Sequence, residues 1–595
     1  MSKFERVPPD EEPHPFNVSY IKNPTQADLR RLALEHSPAC YVTKYGNINK
    51  IARNKARMAQ YTYIIAKERD ADLYSGNVIS EDRAEPILSM LWDYIHLQGS
   101  LIEIQGYYGL GEKRFPIQWL YTMPCANIAG MQQVLSFPRQ AVETPAQLAE
   151  EYKPVIRVVM VPEFSLPDMP GGQAIIVDIE NYVTYVIGAD YFGESKKGAL
   201  RMLNDYVYER GGLVLHAGAK AVTIAGERIT MTVMGLSGTG KTTTTFSKQG
   251  ELTQPIQDDM VCLWPGGKIS ITENGAFAKT YGLKEETEPI IYKGTLDPTA
   301  WLENVYTDAE GGFDFSKGRL TPEEVKCLRD YLIVTGALPE NVDAYISGEV
   351  SIEDKVDAYG IPEDGWDFLA WTQNGRSVIP MSKIQGAGDL RDIPQVRSMG
   401  ILNRDEGPDA AMPGIVRFTS TEQAAAYFML GETTKTSAAG KERGRTRSPF
   451  TQPFFPKAMG LQAVRFAELS AQIPNLETWL MNTGYIGGDA NDVEQGKALK
   501  VKIPHSSAML EAMLGGNVKW KLDPDFGYEI VDTDARENAE FLKEVPKEIL
   551  NPILFFEKAG KMDTYKAWVA KMKFERREFL QQYKVAPEII ATIPE

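Results

Sequence analysis

Two stretches near the middle of the first half read as buried strands. Val155-Ile156-Arg157-Val158-Val159-Met160-Val161 and Ala174-Ile175-Ile176-Val177 are short β-branched runs. Further on, Ile229, Met231 and Val233 alternate with Thr230 and Thr232, the period of two that a strand requires. Ala199, Leu203, Tyr206 and Val207 share one helical face, which predicts a helix with Lys196 and Lys197 in its first turn. Leu213-Val214-Leu215 makes an apolar strand that ends at His216, and Met260 to Trp264, Pro265-Gly266-Gly267 and Lys268 to Ile271 predict a hairpin. The pattern is mixed from about residue 20 to 215, then runs strand, glycine loop, helix and hairpin over 227 to 300. An acidic, Gly- and Pro-punctuated stretch over 306–370 reads as an insertion on the second domain, and strand-like and helical segments resume from 414. The C-terminal segment is helical by composition, its mixed charges from Lys561 to Lys584 reading as a solvated face. The prediction is an α/β protein of two domains, 1–215 and 216–595.

Composition narrows the function classes. With 595 residues, 43% of them hydrophobic, the chain can bury a large core. A formal charge of −16 argues against nucleic acid or an anionic membrane as a partner, so any anion needs a local site. The four cysteines, Cys40, Cys125, Cys262 and Cys327, form no CxxC pair, which fits a reducing compartment and suggests neither a disulfide framework nor a cysteine zinc site. The Met1 to Arg6 start and the acidic, proline-rich sequence after it lack a signal peptide's apolar stretch, and no apolar run approaches bilayer length. The expectation is a soluble cytoplasmic protein.

The candidate chemistry begins where the Ile229–Val233 strand pattern meets Gly235-Leu236-Ser237-Gly238-Thr239-Gly240-Lys241-Thr242. This is a full Walker A pattern, with a strand before it and a helix-compatible stretch after it. Its glycines let backbone N–H groups turn inward around phosphate oxygens, Lys241 offers a cation to the β- and γ-phosphates, and Thr242 offers a hydroxyl to Mg²⁺. Asp258 and Asp259 open the predicted hairpin; a carboxylate there either holds a metal or is a solvated turn residue. Two lysines in a first helical turn oppose the helix dipole. Either they are exposed and snorkelling, or a readily deprotonated lysine is being used, since a neutral lysine can ligate a metal. His216, one of five histidines, is either a satisfied core residue or a ligand.

Taken in order, these segments resemble ATP-dependent phosphoenolpyruvate carboxykinase. Phe192-Gly193-Glu194-Ser195-Lys196-Lys197-Gly198 is similar to the family's lysine-pair segment, with Phe192 at a substrate-contacting tyrosine and Tyr191 adjacent. His216 matches the metal histidine, residues 235–242 are identical to the family loop, and Asp258 and Asp259 correspond to its paired aspartates. Phe277-Ala278-Lys279-Thr280, Glu286-Thr287-Glu288-Pro289, Leu302-Glu303-Asn304-Val305 and Met481-Asn482-Thr483-Gly484-Tyr485 resemble further family segments, and Arg376 matches the substrate arginine. Glu442-Arg443-Gly444 falls in the mobile lid, expected over 432–456, and Lys500 to Ser506 fall where adenine is held. The resemblance covers residues 185 to 595. The first 180 residues match poorly: the family's Gly-Arg-Ser-Pro-Lys-Asp-Lys signature is absent, and Arg57, with Arg53 as rival, is the stand-in for its carboxylate-binding arginine.

The resemblance implies a mixed-sheet N-terminal domain on the substrate side and a P-loop-containing mononucleotide-binding C-terminal domain. It implies that oxaloacetate and ATP become phosphoenolpyruvate, CO₂ and ADP through a metal-stabilised enolate. Lys197, His216 and Asp259 would hold Mn²⁺ and Thr242 would hold Mg²⁺, with Lys241, Asp258 and Arg376 completing the catalytic set. Nucleotide would be held by Gly235 to Thr242 with Glu288, Arg443, Lys500, Val501 and Ser506, and substrate by Arg57, Tyr191, Lys197 and Arg376. Arg445 and Arg447, beside the lid, are expected as a solvated loop. Rival readings are a kinase on the same fold for another small-molecule or protein acceptor, the same chemistry with GTP or pyrophosphate, and a non-catalytic nucleotide-binding regulator. The oligomeric state and the physiological direction stay open.

Overall fold

The computed structural model describes residues 18–52, 59–236, 238–356, 362–435, 444–452 and 454–595. Arg53, Arg57, Ser237 and Arg443 lie outside the described residues. The chain forms a mixed α/β fold that gathers into two compact units. Unit 1 holds the described residues of 1–206, 272–385 and 453–456; unit 2 holds those of 207–271, 386–452 and 457–595. The first crossing falls in the last turn of the helix Phe192–Glu209, close to the boundary expected at 215/216. The chain then returns, so 306–370, expected on the second domain, packs in unit 1.

Among the described residues, unit 1 is built on a nine-stranded mixed sheet. Its centre contains Ile156–Val161, Val183–Ile187 and Ala174–Asp178, all fully buried. Burial on both faces explains why these strands read as continuous apolar runs rather than as alternation. A second, five-stranded sheet runs Gly275–Lys279, Arg376–Pro380, Trp301–Glu303, Ile48–Lys50 and Cys40–Val42. The 306–370 stretch carries the helices Pro322–Val334 and Pro339–Ser347. Val325, Leu332, Val342, Tyr345, Trp366 and Phe368 close a core there with Ala39 and Ile51. Thr321 caps the first of these helices in a capping box with Glu324.

Unit 2 is built on an eight-stranded mixed sheet. Leu252–Gln257, Ala217–Ile224 and Glu227–Gly235 are antiparallel neighbours, and Glu227–Gly235, Val396–Asn403 and Glu477–Asn482 run parallel. The predicted hairpin forms from Val261–Trp264 and Lys268–Ile271, and Leu213–Leu215 pairs with its first strand. The C-terminal helix Met562–Gln582 is not solvated throughout: Tyr565, Trp568, Met572, Arg576 and Leu580 are buried on one face. Among the described residues, no helix is long and apolar enough to cross a membrane.

Candidate functional site

In unit 2 the strand Glu227–Gly235 ends at the glycine loop, and the helix Lys241–Phe246 begins immediately after it. Gly238 and Gly240 both have φ of 88°, a left-handed conformation that favours glycine, which accounts for their spacing in the motif. Thr239 is buried. Its hydroxyl donates to the Leu236 carbonyl at 2.8 Å, and the Thr483 hydroxyl donates to the Thr239 carbonyl at 2.9 Å. Thr242 stands half-buried in the first turn of the helix.

Asp259 is the point on which the loop and the upstream strand converge. Its Oδ1 lies 3.1 Å from Lys241 Nζ and 2.9 Å from His216 Nε2. Backbone pairing produces this arrangement: Leu213, Val214 and Leu215 pair with Leu263, Cys262 and Val261, and one further step sets His216 opposite Met260, beside Asp259. His216 Nδ1 is 2.7 Å from the Phe450 carbonyl oxygen, which can only accept, so Nδ1 carries the proton and a neutral ring has its lone pair on Nε2. Burial, and then the Lys241 ammonium, push the imidazole below its ordinary value, although the Asp259 carboxylate pulls the other way. A neutral imidazole with its lone pair turned on a carboxylate is a donor set suited to a divalent cation, and the Phe450 carbonyl fixes the tautomer such a ligand needs. Among the described residues no three His, Cys, Asp or Glu side chains gather as a metal cage. A cation here would therefore also draw on other donor types, such as a lysine, a hydroxyl or substrate oxygens. Asp258 is buried beside Asp259.

Lys500, Val501 and Ser506, expected on the adenine side, lie in the same unit. The Lys500 ammonium donates to the Thr483 carbonyl at 2.9 Å and sits 4.1 Å from the centre of the Tyr485 ring. Burial and the nearby Arg404 bring it down to about 8. Thr483 thus joins Lys500 to the glycine loop through one residue. Val501 is buried in the core, so only its backbone is left to meet a ligand, while Ser506 is half-buried in the helix Ile503–Leu514.

The expected lid contains an antiparallel pair, Glu432–Lys435 with Gly444–Arg447. Arg445 and Arg447 are not in a solvated loop. Arg445 Nη2 is 2.6 Å from Asp405 Oδ1, Arg447 Nε is 2.7 Å from Glu432 Oε2, and Arg576 Nη2 is 2.7 Å from Glu432 Oε1. Burial works against the Glu432 charge, yet Arg576 and Arg447 hold its carboxyl far below the usual range. Asp405 stands 40 residues before Arg445, whereas Glu432 is the hairpin partner of Arg447 itself, and the composition of the basic stretch alone shows neither pairing.

Unit 1 holds the remaining residues. The helix begins at Phe192, so Lys196 and Lys197 sit beyond its first turn and meet less of the dipole than expected. Neither is exposed. Lys196 pairs with Glu273 at 3.0 Å and Lys197 with Glu194 at 2.5 Å, its ammonium 5.7 Å from the centre of the buried Tyr191 ring. A ligating role requires this amine to lose its proton, and Glu194 is an acceptor already in reach. Glu288 precedes the helix Pro289–Leu296 and accepts the Tyr292 N–H through its carbonyl at 2.9 Å.

Arg376 opens its strand half-buried, paired in register with Lys279 on one side and Glu303 on the other. Its guanidinium lies 5.8 Å from the centre of the Phe277 ring. Burial, then Arg376, lowers the Lys279 ammonium. Two adjacent, partly buried cations favour an anion, so Lys279 is a candidate that motif reading quoted without assigning. Its signal was the alternation of Phe277-Ala278-Lys279, which puts Phe277 and Lys279 on one face. Glu303 is fully buried and raised to about 8, chiefly by burial; its Oε1 accepts the Phe192 N–H at 3.0 Å. Lys50, paired with Asp190 at 2.8 Å, lies near enough to act on the Glu303 charge.

A family model described as phosphoenolpyruvate carboxykinase matches residues 18–338 and 365–537. The chain belongs to the phosphoenolpyruvate carboxykinase family. Relatives named phosphoenolpyruvate carboxykinase (ATP) include one from Aeropyrum pernix, 26% identical over 570 residues that span 94% of each chain. One from Afipia carboxidovorans is 26% identical over 521 residues, 84% of this chain and 81% of its own. One from Rhodopseudomonas palustris is 27% identical over 527 residues, 86% of this chain and 83% of its own. The phosphoenolpyruvate carboxykinase match starts at residue 18, so the likeness reaches into the N-terminal third, where short motifs were too altered to reveal it. It omits 339–364, a narrower unmatched segment than the expected 306–370, and it stops at 537, short of the helix Met562–Gln582.

Proposed function

We propose that the chain is an ATP-dependent phosphoenolpyruvate carboxykinase that converts oxaloacetate and ATP to phosphoenolpyruvate, CO₂ and ADP. Beyond family membership, the observation that carries this reading is the meeting of His216 Nε2 and Lys241 Nζ on one oxygen of Asp259, at the foot of the glycine loop. In this reading unit 1, which includes 272–385 besides most of the expected 1–215, is the substrate-side domain, and unit 2 is the nucleotide-binding domain, with residues 235–242 as its P-loop. The bond between the departing carboxylate and the adjacent carbon breaks, its electron pair forms an enolate, and the enolate oxygen attacks the γ-phosphorus as ADP leaves.

Lys241 neutralises charge on the transferring phosphate, with Asp259 releasing it as the triphosphate enters. The loop amides cradle the remaining phosphates. His216 and Asp259 are assigned as ligands of Mn²⁺, Lys197 is assigned to a metal on the resemblance alone, and Thr242 is assigned to Mg²⁺. Such a cation supplies Lewis-acid stabilisation of the oxygen that becomes negative. Asp258 stands behind Asp259 as its buried neighbour. Arg376, with Lys279, pairs with substrate carboxylate or phosphate oxygens, and Tyr191 and Arg57 are assigned to the same substrate. Glu288, Arg443, Lys500, Val501 and Ser506 are assigned to the nucleotide. The 432–456 lid keeps water from the enolate, whose protonation would give pyruvate instead. A charge of −16 supports small anions bound locally, with no nucleic-acid or membrane partner, and the four cysteines without a CxxC pair support a reducing compartment, the cytoplasm.

The test incubates purified protein with oxaloacetate, Mn²⁺ and Mg²⁺ and, separately, ATP, GTP and pyrophosphate, and measures phosphoenolpyruvate. Product with ATP is expected. Product only with another donor corrects the nucleotide assignment, and no product with any donor rejects the reaction.

A further inference from the structure

Lys220 lies mid-strand in Ala217–Ile224, on the same strand face as Gly218, with its side chain wholly buried. That face packs against the helix Lys241–Phe246. A Cβ on Gly218 would lie 2.0 Å from Thr245 Oγ1, so position 218 leaves the helix room to sit down, and two residues on Lys220 reaches past the helix end. The pairing of this strand with Leu252–Gln257 shifts register between Ala219 and Lys220, an irregularity of the kind that re-aims a side chain.

The Lys220 ammonium is surrounded by oxygen. It donates to the Thr244 carbonyl at 2.5 Å, the Ser247 carbonyl at 2.9 Å, the Ser247 hydroxyl at 3.3 Å and the Gln249 side-chain carbonyl. Among the described residues its hydrogen-bond acceptors are all neutral oxygens, so this oxygen cage compensates for a buried charge. The Thr244 carbonyl lies in the last turn of the glycine-loop helix, where it also accepts the Ser247 N–H and hydroxyl, and Ser247 is that helix's C-terminal cap. The same short helix starts with Lys241 and Thr242, and the Thr245 hydroxyl holds the Lys241 carbonyl at 2.9 Å. Fixing one end of so short a helix therefore fixes the other. Burial pushes the ammonium down to about 7, while four oxygen acceptors favour the protonated form.

We propose that Lys220 is a positioning residue, a tethered cation seated in an oxygen cage that locks the glycine-loop helix in place and so sets affinity for the nucleotide phosphates. The role rests on the nucleotide reading above but is carried by a residue outside every motif that supported it. A lysine that merely fills space would influence stability and both substrates alike; a helix lock acts on ATP.

The experiment titrates ATP directly by calorimetry into wild type and Lys220→Met, which keeps the apolar stem and removes the charge, alongside KM for ATP and for oxaloacetate. We expect ATP affinity to fall about tenfold, the scale of losing a charged hydrogen-bond set, with oxaloacetate KM changed by less than about twofold. In Lys220→Ala, added methylammonium should occupy the emptied cage and restore part of the ATP affinity. Wild-type ATP affinity in folded Lys220→Met overturns the proposal, as does an equal loss for both substrates without methylammonium rescue. Should Lys220→Met not fold, Gln249→Leu removes one acceptor from the other side of the cage. A loss of about threefold in ATP affinity supports the lock, and an unchanged affinity overturns it. A wild-type protein that binds ATP yet makes no phosphoenolpyruvate rejects the reaction but leaves this test intact; one that binds no ATP overturns both.

Discussion

In unit 2 the groups around Asp259 come from a short length of chain, Leu213 to Val261, and their meeting follows from one strand pairing and one loop. In unit 1 the charges near Arg376 come from Lys279, Glu303 and Lys50, on strands far apart in sequence that a second sheet brings into register, with Asp190 added through its ion pair to Lys50. The first arrangement is local and built around a shared carboxylate oxygen. The second is a long-range arrangement in which Arg376 stands in register between a second cation, Lys279, and a buried carboxyl, Glu303. Under the proposed function this contrast becomes a division of labour, in which unit 2 supplies the glycine loop, His216 and Asp259 for phosphate and metal, and unit 1 supplies Arg376 and Lys279 for substrate oxygens.

That division can be broken by experiment. Lys241→Ala has the largest expected effect, a fall in kcat of about a thousandfold or more with an unchanged circular-dichroism spectrum; retained activity would remove the glycine loop from the chemistry. Next comes His216→Ala, which should weaken Mn²⁺ activation by roughly ten- to a hundredfold in a metal titration, and an unaltered titration takes His216 out of the ligand set. Arg376→Gln should raise KM for oxaloacetate about tenfold and leave KM for ATP near wild type. If both constants move together, the two units do not divide the substrates in this way.

The smallest effect concerns stability. Burial raises Glu303 to about 8 from an ordinary 4.5, so between those values the folded chain holds a proton that the unfolded chain has released. Stability should therefore decline through this term as pH rises across that window. Glu303→Gln should flatten the slope of thermal midpoint against pH, and an identical slope in the variant would locate the titration elsewhere.

What the sequence made legible follows the same contrast. The glycine loop, the 261–271 hairpin and the strand leading to His216 could be read because each is specified by neighbours within a few residues. The Lys279–Arg376 pairing could not, because antiparallel register between strands nearly a hundred residues apart leaves no local signature. Arg445 and Arg447 look solvated as part of a basic stretch until Asp405, distant in sequence, and Glu432, the hairpin partner of Arg447, are placed beside them. The start of the Lys197 helix was set too late because Phe192 and Gly193 are weak helix formers. What holds them is tertiary, Phe192 packing on Phe277 and its N–H bonding to Glu303.

Arg576 reaches Glu432 from the helix Met562–Gln582, far along the chain from the hairpin it supports. The strand Glu432–Lys435 is therefore held both by Arg447, from its own hairpin partner, and by Arg576, from a helix near the end of the chain. Damage near the tail, such as a proteolytic nick within that helix, would be felt first at a strand 144 positions upstream.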